Sequence, residues 1–405
     1  MPENNREDRK NPVRNGGAYI VRTFELRKFV APEFIFGTGA RSLAGRYAKN
    51  YGAKKILLVT DPGVEKTGIV KDVTQSLETS GIAHERFTHV VPNPRAANVM
   101  EGAGVFETGG CSAIVAVGGG SVIDCAKGIG IVSSNHRDIA EFEGVDRVSV
   151  PCPPLICIPT TAGSSADVSQ FAIITDPARN VKMALVSKAL VPDIALIDPE
   201  TLLSKPPALT AHTGLDVLTH AIEAYVSNAS SPVTDLHALE AIRLITTYLP
   251  GAVAHPGEIG YRGETMLASL HAGLAFSNAS LGAVHAMAHA LGGSLDLPHG
   301  LCNALLLDSV IAYNYPASQE RYDTINDLMK ACMGPDKTGQ ESQNLTARIQ
   351  EFRKTLGMCE TLGSIGVRRE DIGNLAKNAL RDVCMATNPR RPAEEDIEAI
   401  YAAAL

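Results

Sequence analysis

The segment AIVAVGGGSVIDC, Ala113 to Cys125, decides how the chain folds. Ala113 to Val117 is an uninterrupted apolar run of the length expected for a strand buried on both faces. Gly118-Gly119-Gly120-Ser121 follows without a spacer, and Val122, Cys125 and Ile129 then recur at helical spacing. A strand that turns through glycines straight into a helix is the repeating unit of an open parallel sheet. The glycines let the backbone approach a ligand closely, and the helix start behind them offers free N–H groups and partial positive charge to a phosphate or pyrophosphate. A glycine-rich turn with no ligand satisfies the same pattern.

Outward from this segment the unit repeats. KILLVT, Lys55 to Thr60, reads as a buried strand ending at Asp61-Pro62-Gly63, and Ile69, Val73 and Leu77 predict one helix over about Gly63 to Ser80. Ile82 to Phe87 is a further strand, followed by the turn Pro92-Asn93-Pro94 and a helix over Val99 to Thr108. Leu155 to Pro159 predicts another buried strand opening into Thr160-Thr161-Ala162-Gly163-Ser164-Ser165, small hydroxyl residues suited to phosphate or ribose, or to an ordinary capped turn. Gln170 to Thr175 and Val181 to Leu185 flank DPARN and predict a hairpin, with Lys182 on the second arm able to reach an anion. Ile194 to Ile197 closes the half. GGGS follows roughly the third strand, so the pattern departs from the GxGxxG dinucleotide fingerprint of a first strand.

From Pro206 onward helical spacing dominates. The expected organisation is therefore a short flexible start (1–22), an α/β nucleotide-binding domain with a mostly parallel sheet (23–203) and an all-α helical bundle (204–405). Thr210 or Thr213 is expected to cap the first helix of the bundle, and further helices are expected over Asp235 to Tyr248 and Arg369 to Cys384. Within the bundle, Asp216 and His220 lie four apart, His285 and His289 lie four apart, and His299 falls in the turn PHG. Positions i and i+4 of a helix share a face, so the spacing leaves all five as candidate ligands of one ion. A lone histidine on an apolar helix is more often a hydrogen-bonded core residue. An aspartate among Leu215, Val217 and Leu218, however, is costly to bury without a counter-charge. Asp216, His220, His285 and His299 together offer a carboxylate and imidazoles, a set that suits Fe²⁺ or Zn²⁺ and not Ca²⁺ or Mg²⁺.

Composition narrows the partners. A net charge of −7 without a basic patch argues against nucleic acid. No apolar stretch reaches membrane-spanning length, and the charged first residues lack the apolar core of a secretory signal. The eight cysteines are scattered without CxxC spacing, which fits thiols in a reducing, cytoplasmic setting.

GGGSVIDCAKG, PTTAGSSADV, HTGLDVLTHAIEAYVS and the run from FSNASLG through VHAMAHALGGSLDLPHGLCNALLL resemble the iron-containing (group III) alcohol dehydrogenase family, over nearly the whole chain from Phe24 to Leu405. The resemblance implies that Asp216, His220, His285 and His299 bind Fe²⁺ or Zn²⁺, and that His289 stands beside the ion and handles a proton. It implies that Asp61, Asn93, Gly119, Gly120, Ser121, Asp124, Thr160, Thr161, Ser164 and Lys182 hold NAD. A carboxylate at Asp61 would accept from a ribose hydroxyl and repel a 2′-phosphate, favouring NAD over NADP. The implied reaction is hydride transfer between a primary alcohol, or its aldehyde, and NAD, in a homodimer or larger homo-oligomer. Gln170, Phe171, Phe276 and His271 are candidates for the substrate pocket. Two positions depart from the pattern: Ser164-Ser165 replaces a Thr-Gly or Thr-Ala, and His271 stands where relatives have a small or apolar residue. The scaffold also resembles dehydroquinate synthase, a lyase that uses NAD transiently. A polyol dehydrogenase is a further alternative, and a metal hydrolase is a third reading that needs no NAD.

Overall fold

The computed structural model describes residues 25–334 and 344–405; the expected flexible start lies outside them. The strands among these residues are β1 (Glu33–Phe36), β2 (Lys55–Val59), β3 (Ala83–Phe87), β4 (Ala113–Gly118), β5 (Gly144–Val145), β6 (Leu155–Pro159), β7 (Phe171–Asp176), β8 (Val181–Val186) and β9 (Ile194–Ile197). Helices α1 (Ala44–Asn50), α2 (Pro62–Glu65), α3 (Ile69–Thr79), α4 (Ala96–Thr108) and α5 (Gly120–Asn135) run between them. Six strands form a parallel sheet in the order β1-β9-β6-β4-β2-β3, while β5, β8 and β7 make a small second sheet around the antiparallel β7–β8 hairpin.

The continuous apolar runs arise because both faces of the large sheet are covered. Ile56, Leu58, Val115 and Val117 pack against Ala44, Ala48, Val73 and Leu77 on one face. Leu57, Val59, Ile114 and Ala116 pack against Val99, Ala103, Ile123 and Ile129 on the other. The chain passes from β2 outward to β3, then crosses back to place β4 on the other side of β2. That reversal opens a crevice beyond the carboxyl ends of β2 and β4, where ligands of doubly wound sheets bind. GGGS sits there, which is why it follows the third strand of the wound series and not the first.

The helical half contains α6 (Pro207–Val226), α7 (Pro232–Ala254), α8 (Ile259–Ala279), α9 (Ala283–Leu295), α10 (His299–Asn314), α11 (Gln319–Met333), α12 (Leu345–Thr355), α13 (Ile372–Arg381) and α14 (Glu394–Ala404). One core joins them, and a smaller cluster of Ala195, Ile197, Met266, Leu270 and Leu274 seats α8 on β9.

Several local expectations are corrected. The single helix over Gly63 to Ser80 is two, because Gly68 adopts a left-handed conformation (φ 85°) and ends α2 before α3 begins. Thr210 and Thr213 do not cap α6; the helix starts at Pro207, and their hydroxyls donate back to the carbonyls of Pro206 and Leu209. The helix begun near Asp235 starts at Pro232 and runs past Pro250 to Ala254. Helical structure over Arg369 to Cys384 narrows to α13, because Asp382 turns extended (ψ 139°) and its side chain caps a short 3₁₀ turn from Val383.

Gly45 marks the tightest helix contact in the sheet half: a Cβ there would lie 2.0 Å from Ser76 O on α3. Gly45→Ala is expected to lower stability by about 1–3 kcal/mol. Urea unfolding would show this as a lower midpoint at an unchanged slope.

Candidate metal and cofactor site

α6 carries Asp216 and His220 one turn apart, and α9 carries His285 and His289 one turn apart; all four are buried. Asp216, His220 and His285 each offer a ligand atom, and these lie within 4.8 Å of one another. His299 is not in a free turn but is the first residue of α10, and its Nε2 stands 3.7 Å from Asp216 Oδ1. The Nε2 of His285 stands 3.8 Å from the same oxygen. Burial drives the rings to the neutral form: His220 falls to about 3 in spite of Asp216, and His285 and His299 fall well below the usual histidine range. A carboxylate facing neutral imidazole nitrogens, three of the four side chains buried and His299 26% exposed, is a donor set that a divalent first-row cation satisfies.

Each histidine of α9 is held by a carboxylate that the sequence reading did not single out. His285 Nδ1 is 2.6 Å from Glu223 Oε2, which leaves Nε2 as the lone-pair nitrogen toward Asp216. Glu223 also accepts from the N–H groups of Gly282 (3.0 Å) and Val284 (2.7 Å) at the start of α9. His289 Nδ1 is 2.8 Å from Asp382 Oδ2, and the His289 ring stacks on His299 with centroids 5.2 Å apart. His220 stacks between His285 (4.4 Å) and Phe276 (4.3 Å).

On the sheet side, the first helical hydrogen bonds of α5 run from Val122 and Ile123 to Gly119 O, so the N–H groups of Gly120 and Ser121 lie ahead of them at the crevice. No acidic side chain occupies this first turn. Thr161 and Ser164 stand against the glycines: a Cβ on Gly119 would lie 3.2 Å from Thr161, and one on Gly120 only 2.5 Å from Ser164 Oγ. Thr160 Oγ1 is buried without a partner beside them. Asp61, at the end of β2, spends Oδ1 on the N–H groups of Gly63 and Val64 as the cap of α2. Asp124 is pushed up to about 6 by burial, opposed by the charges of Lys127 and Lys182. Lys182 Nζ donates to Asn93 Oδ1 (2.8 Å), and Asn93 Nδ2 donates to Asp296 at the end of α9 (2.7 Å). Burial lowers the pKa of this lysine, against the raising influence of Cys302, Asp296, Asp124 and Asp216.

The comparisons with known proteins identify the family. Residues 31–199 match the description "Iron-containing alcohol dehydrogenase" and residues 210–405 match "Fe-containing alcohol dehydrogenase family, C-terminal". The chain belongs to the iron-containing alcohol dehydrogenase family. It is 39% identical over 377 residues to the NAD-dependent methanol dehydrogenase of Bacillus methanolicus, covering 93% of this chain and 99% of that one. It is 41% identical over 382 residues to the 1,3-propanediol dehydrogenase of Klebsiella pneumoniae, covering 94% and 99%. A crystal structure of a 1,3-propanediol oxidoreductase superposes with a TM-score of 0.89 at 40% identity, covering 94% of this chain and all of that one.

Of the positions expected to line an iron alcohol dehydrogenase pocket, Phe276 lies against His220, and Phe171 packs on Phe276 at 5.8 Å. The buried ammonium of Lys127 donates to the carbonyls of Ser169 and Phe171 and so fixes this wall. Gln170 is tied to Ser277 and faces a surface cavity of about 310 Å³, shared with Arg27, Lys28 and Asn278, that contains none of the ligand candidates. His271 is directed elsewhere: its Nδ1 is 2.9 Å from Nδ1 of His237 on α7, whose ring is stacked on Phe29. Glu223 was legible only as a buried acid one turn beyond His220, and Asp382 carried no local signal at all.

Glu223→Gln keeps the size of the side chain but replaces one acceptor oxygen with a donor among three N–H groups. We expect about 10–100-fold weaker metal binding, measured by competition with a chromogenic chelator.

Proposed function

We propose that this chain interconverts a small primary alcohol and its aldehyde by NAD-dependent hydride transfer, with Fe²⁺, or Zn²⁺ in its place, held by Asp216, His220, His285 and His299. The observation that supports the reading most is the convergence of Asp216, His220 and His285 within 4.8 Å, with His299 3.7 Å from Asp216, in a chain whose β4 runs through Gly118-Gly119-Gly120 into α5. When bound, the ion supplies Lewis-acid polarisation of the substrate oxygen and the nicotinamide supplies the hydride acceptor. The protein's own part is to position and to exclude water. Gly119, Gly120 and Ser121 present backbone N–H groups to the pyrophosphate, aided by the hydroxyls of Thr160, Thr161 and Ser164. Asn93, Asp124 and Lys182 add further polar groups for the cofactor, with Lys182 and Asn93 already bonded to each other. Phe171 and Phe276 supply the apolar wall beside His220. Asp382 fixes the Nδ1 side of His289, so the opposite nitrogen carries the proton that leaves the alcohol.

A polyol substrate remains within the same chemistry. The lyase reading differs in one readout, since it returns every hydride to its product and accumulates no NADH. A homo-oligomer is supported by the outer edge of β1, where Phe34 and Phe36 are 41% and 37% exposed. A cytoplasmic setting is supported by eight free cysteines.

The test is a panel of short alcohols, diols and functionalised aldehydes followed by NADH absorbance after Fe²⁺ or Zn²⁺ is restored. Asp216→Ala and His285→Ala are expected to lose bound metal and turnover together; a metal-free variant with full activity would sink the mechanism. His289→Asn should retain its metal while kcat falls by about 10²–10⁴-fold. Asp61→Ser preserves a cap for α2 but removes the charge, and should raise kcat/KM for NADP relative to NAD by at least about tenfold.

A further inference from the structure

Asn303 follows His299 by one turn of α10 and shares its face. It is fully buried. Its Nδ2 stands 2.6 Å from Asp216 Oδ1, 3.1 Å from His285 Nε2 and 3.2 Å from His299 Nε2. Its Oδ1 is buried without a partner. One amide nitrogen with its hydrogens thus faces three of the four proposed ligand residues at once.

The chemistry of those acceptors decides what this means. Glu223 holds His285 at Nδ1, so Nε2 carries the ring's only lone pair. A ring nitrogen cannot give the same lone pair to an N–H and to a metal ion. His299 Nε2, 3.2 Å from the same amide nitrogen, faces the same choice in the tautomer that carries its lone pair there. Asp216 differs, because a carboxylate oxygen has a second lone pair and can keep Asn303 while it ligates.

We infer that Asn303 is a built-in competitor of the metal: its two amide hydrogens are shared among the converging acceptors of Asp216, His285 and His299, and it must release the imidazole nitrogen it holds for the ion to bind. The inference rests on the metal-binding reading of the cluster. It assigns Asn303 two linked consequences. Without an ion, the amide prevents buried lone pairs and a carboxylate from facing one another unsatisfied. With an ion, the released N–H bonds are subtracted from the apparent affinity, so the resident metal is held less tightly than the ligand set alone would hold it. A residue that merely orients Asp216 would act in the opposite sense, and its loss would weaken binding.

The experiment compares the full-length wild type with Asn303→Ala and with Asn303→Leu, which has nearly the same volume and no donor. Zn²⁺ is the probe, because it does not oxidise. Its Kd is measured by chelator competition, and thermal midpoints are recorded with excess chelator and with saturating Zn²⁺. The expected result is a Kd lowered by about tenfold and a larger zinc-induced rise in midpoint, as linkage requires when the metal-free form is destabilised more than the loaded one. A Kd that is unchanged or raised, or a smaller zinc-induced rise, overturns the inference and leaves Asn303 as an orienting group. Absence of stoichiometric zinc in the wild type would instead overturn the metal-binding reading itself.

Discussion

Much of the ligand cluster follows from one buried carboxylate. Asp216, His220 and Glu223 fall on a single stripe of α6, at i, i+4 and i+7. Glu223 takes its stripe to the start of α9, where it accepts from Gly282 N, Val284 N and His285 Nδ1. The N-cap of α9 is Gly282, which has no side chain to satisfy the first amides, so the capping is tertiary. Asn388 supplies the amide between, accepting from Ala283 N at 3.0 Å. The same negative charge lies at the positive end of the helix dipole, which offsets part of the cost of burying it. Once α9 is seated this way, His285 is the third residue of the helix and His289 lies one turn beyond, so a single docking contact places both.

The far end of α9 is held by the sheet half. Gly292 leaves the space filled by Lys182, since a Cβ there would lie 2.7 Å from Nζ, and Gly293 lies against the backbone of Asn180, Val181 and Lys182. The β7–β8 hairpin is therefore both a wall of the crevice and the seat of the helix that presents two histidines. Asn93 and Asp296 continue that seam through Lys182. This seam of small residues and amides fixes α9 against the hairpin.

The central strands β2, β4, β6 and β9 were readable because a parallel sheet covered on both faces leaves short unbroken apolar runs, whereas the exposed edge strand β1 leaves none and was not read. The i, i+4 pairs of α6 and α9 were readable for the same reason, since a helix converts spacing into a shared face. What could not be read are the bonds that act across the chain. Glu223 to His285, Asp216 to Asn303 and His289 to Asp382 span 62, 87 and 93 positions. No local pattern announces such a pair, and both Asn303 and Asp382 sit among neighbours that look like ordinary helix and turn. The missed break in the Arg369 to Cys384 helix belongs here too. The helix ends where Asp382 turns its carboxylate toward both His289 and the N–H of Cys384.

The two histidines of α9 are separated by the carboxylates behind them. Burial pushes Glu223 up to about 7, against hydrogen bonds from the amides of Val284, Gly282 and His285. The same burial acts on Asp382, yet the charge of His289 and its hydrogen bond outweigh it and hold that acid below its usual value. Glu223 thus stands behind a ring that is kept neutral and is shared with backbone dipoles, which suits a fixed lone-pair donor. Asp382 stands behind the Nδ1 of His289 and orients that ring, which suits a group that takes up and passes on a proton at its other nitrogen. Spacing alone put His285 and His289 on equal terms as ligands. Their partners, drawn from opposite ends of the helical half, make them unequal.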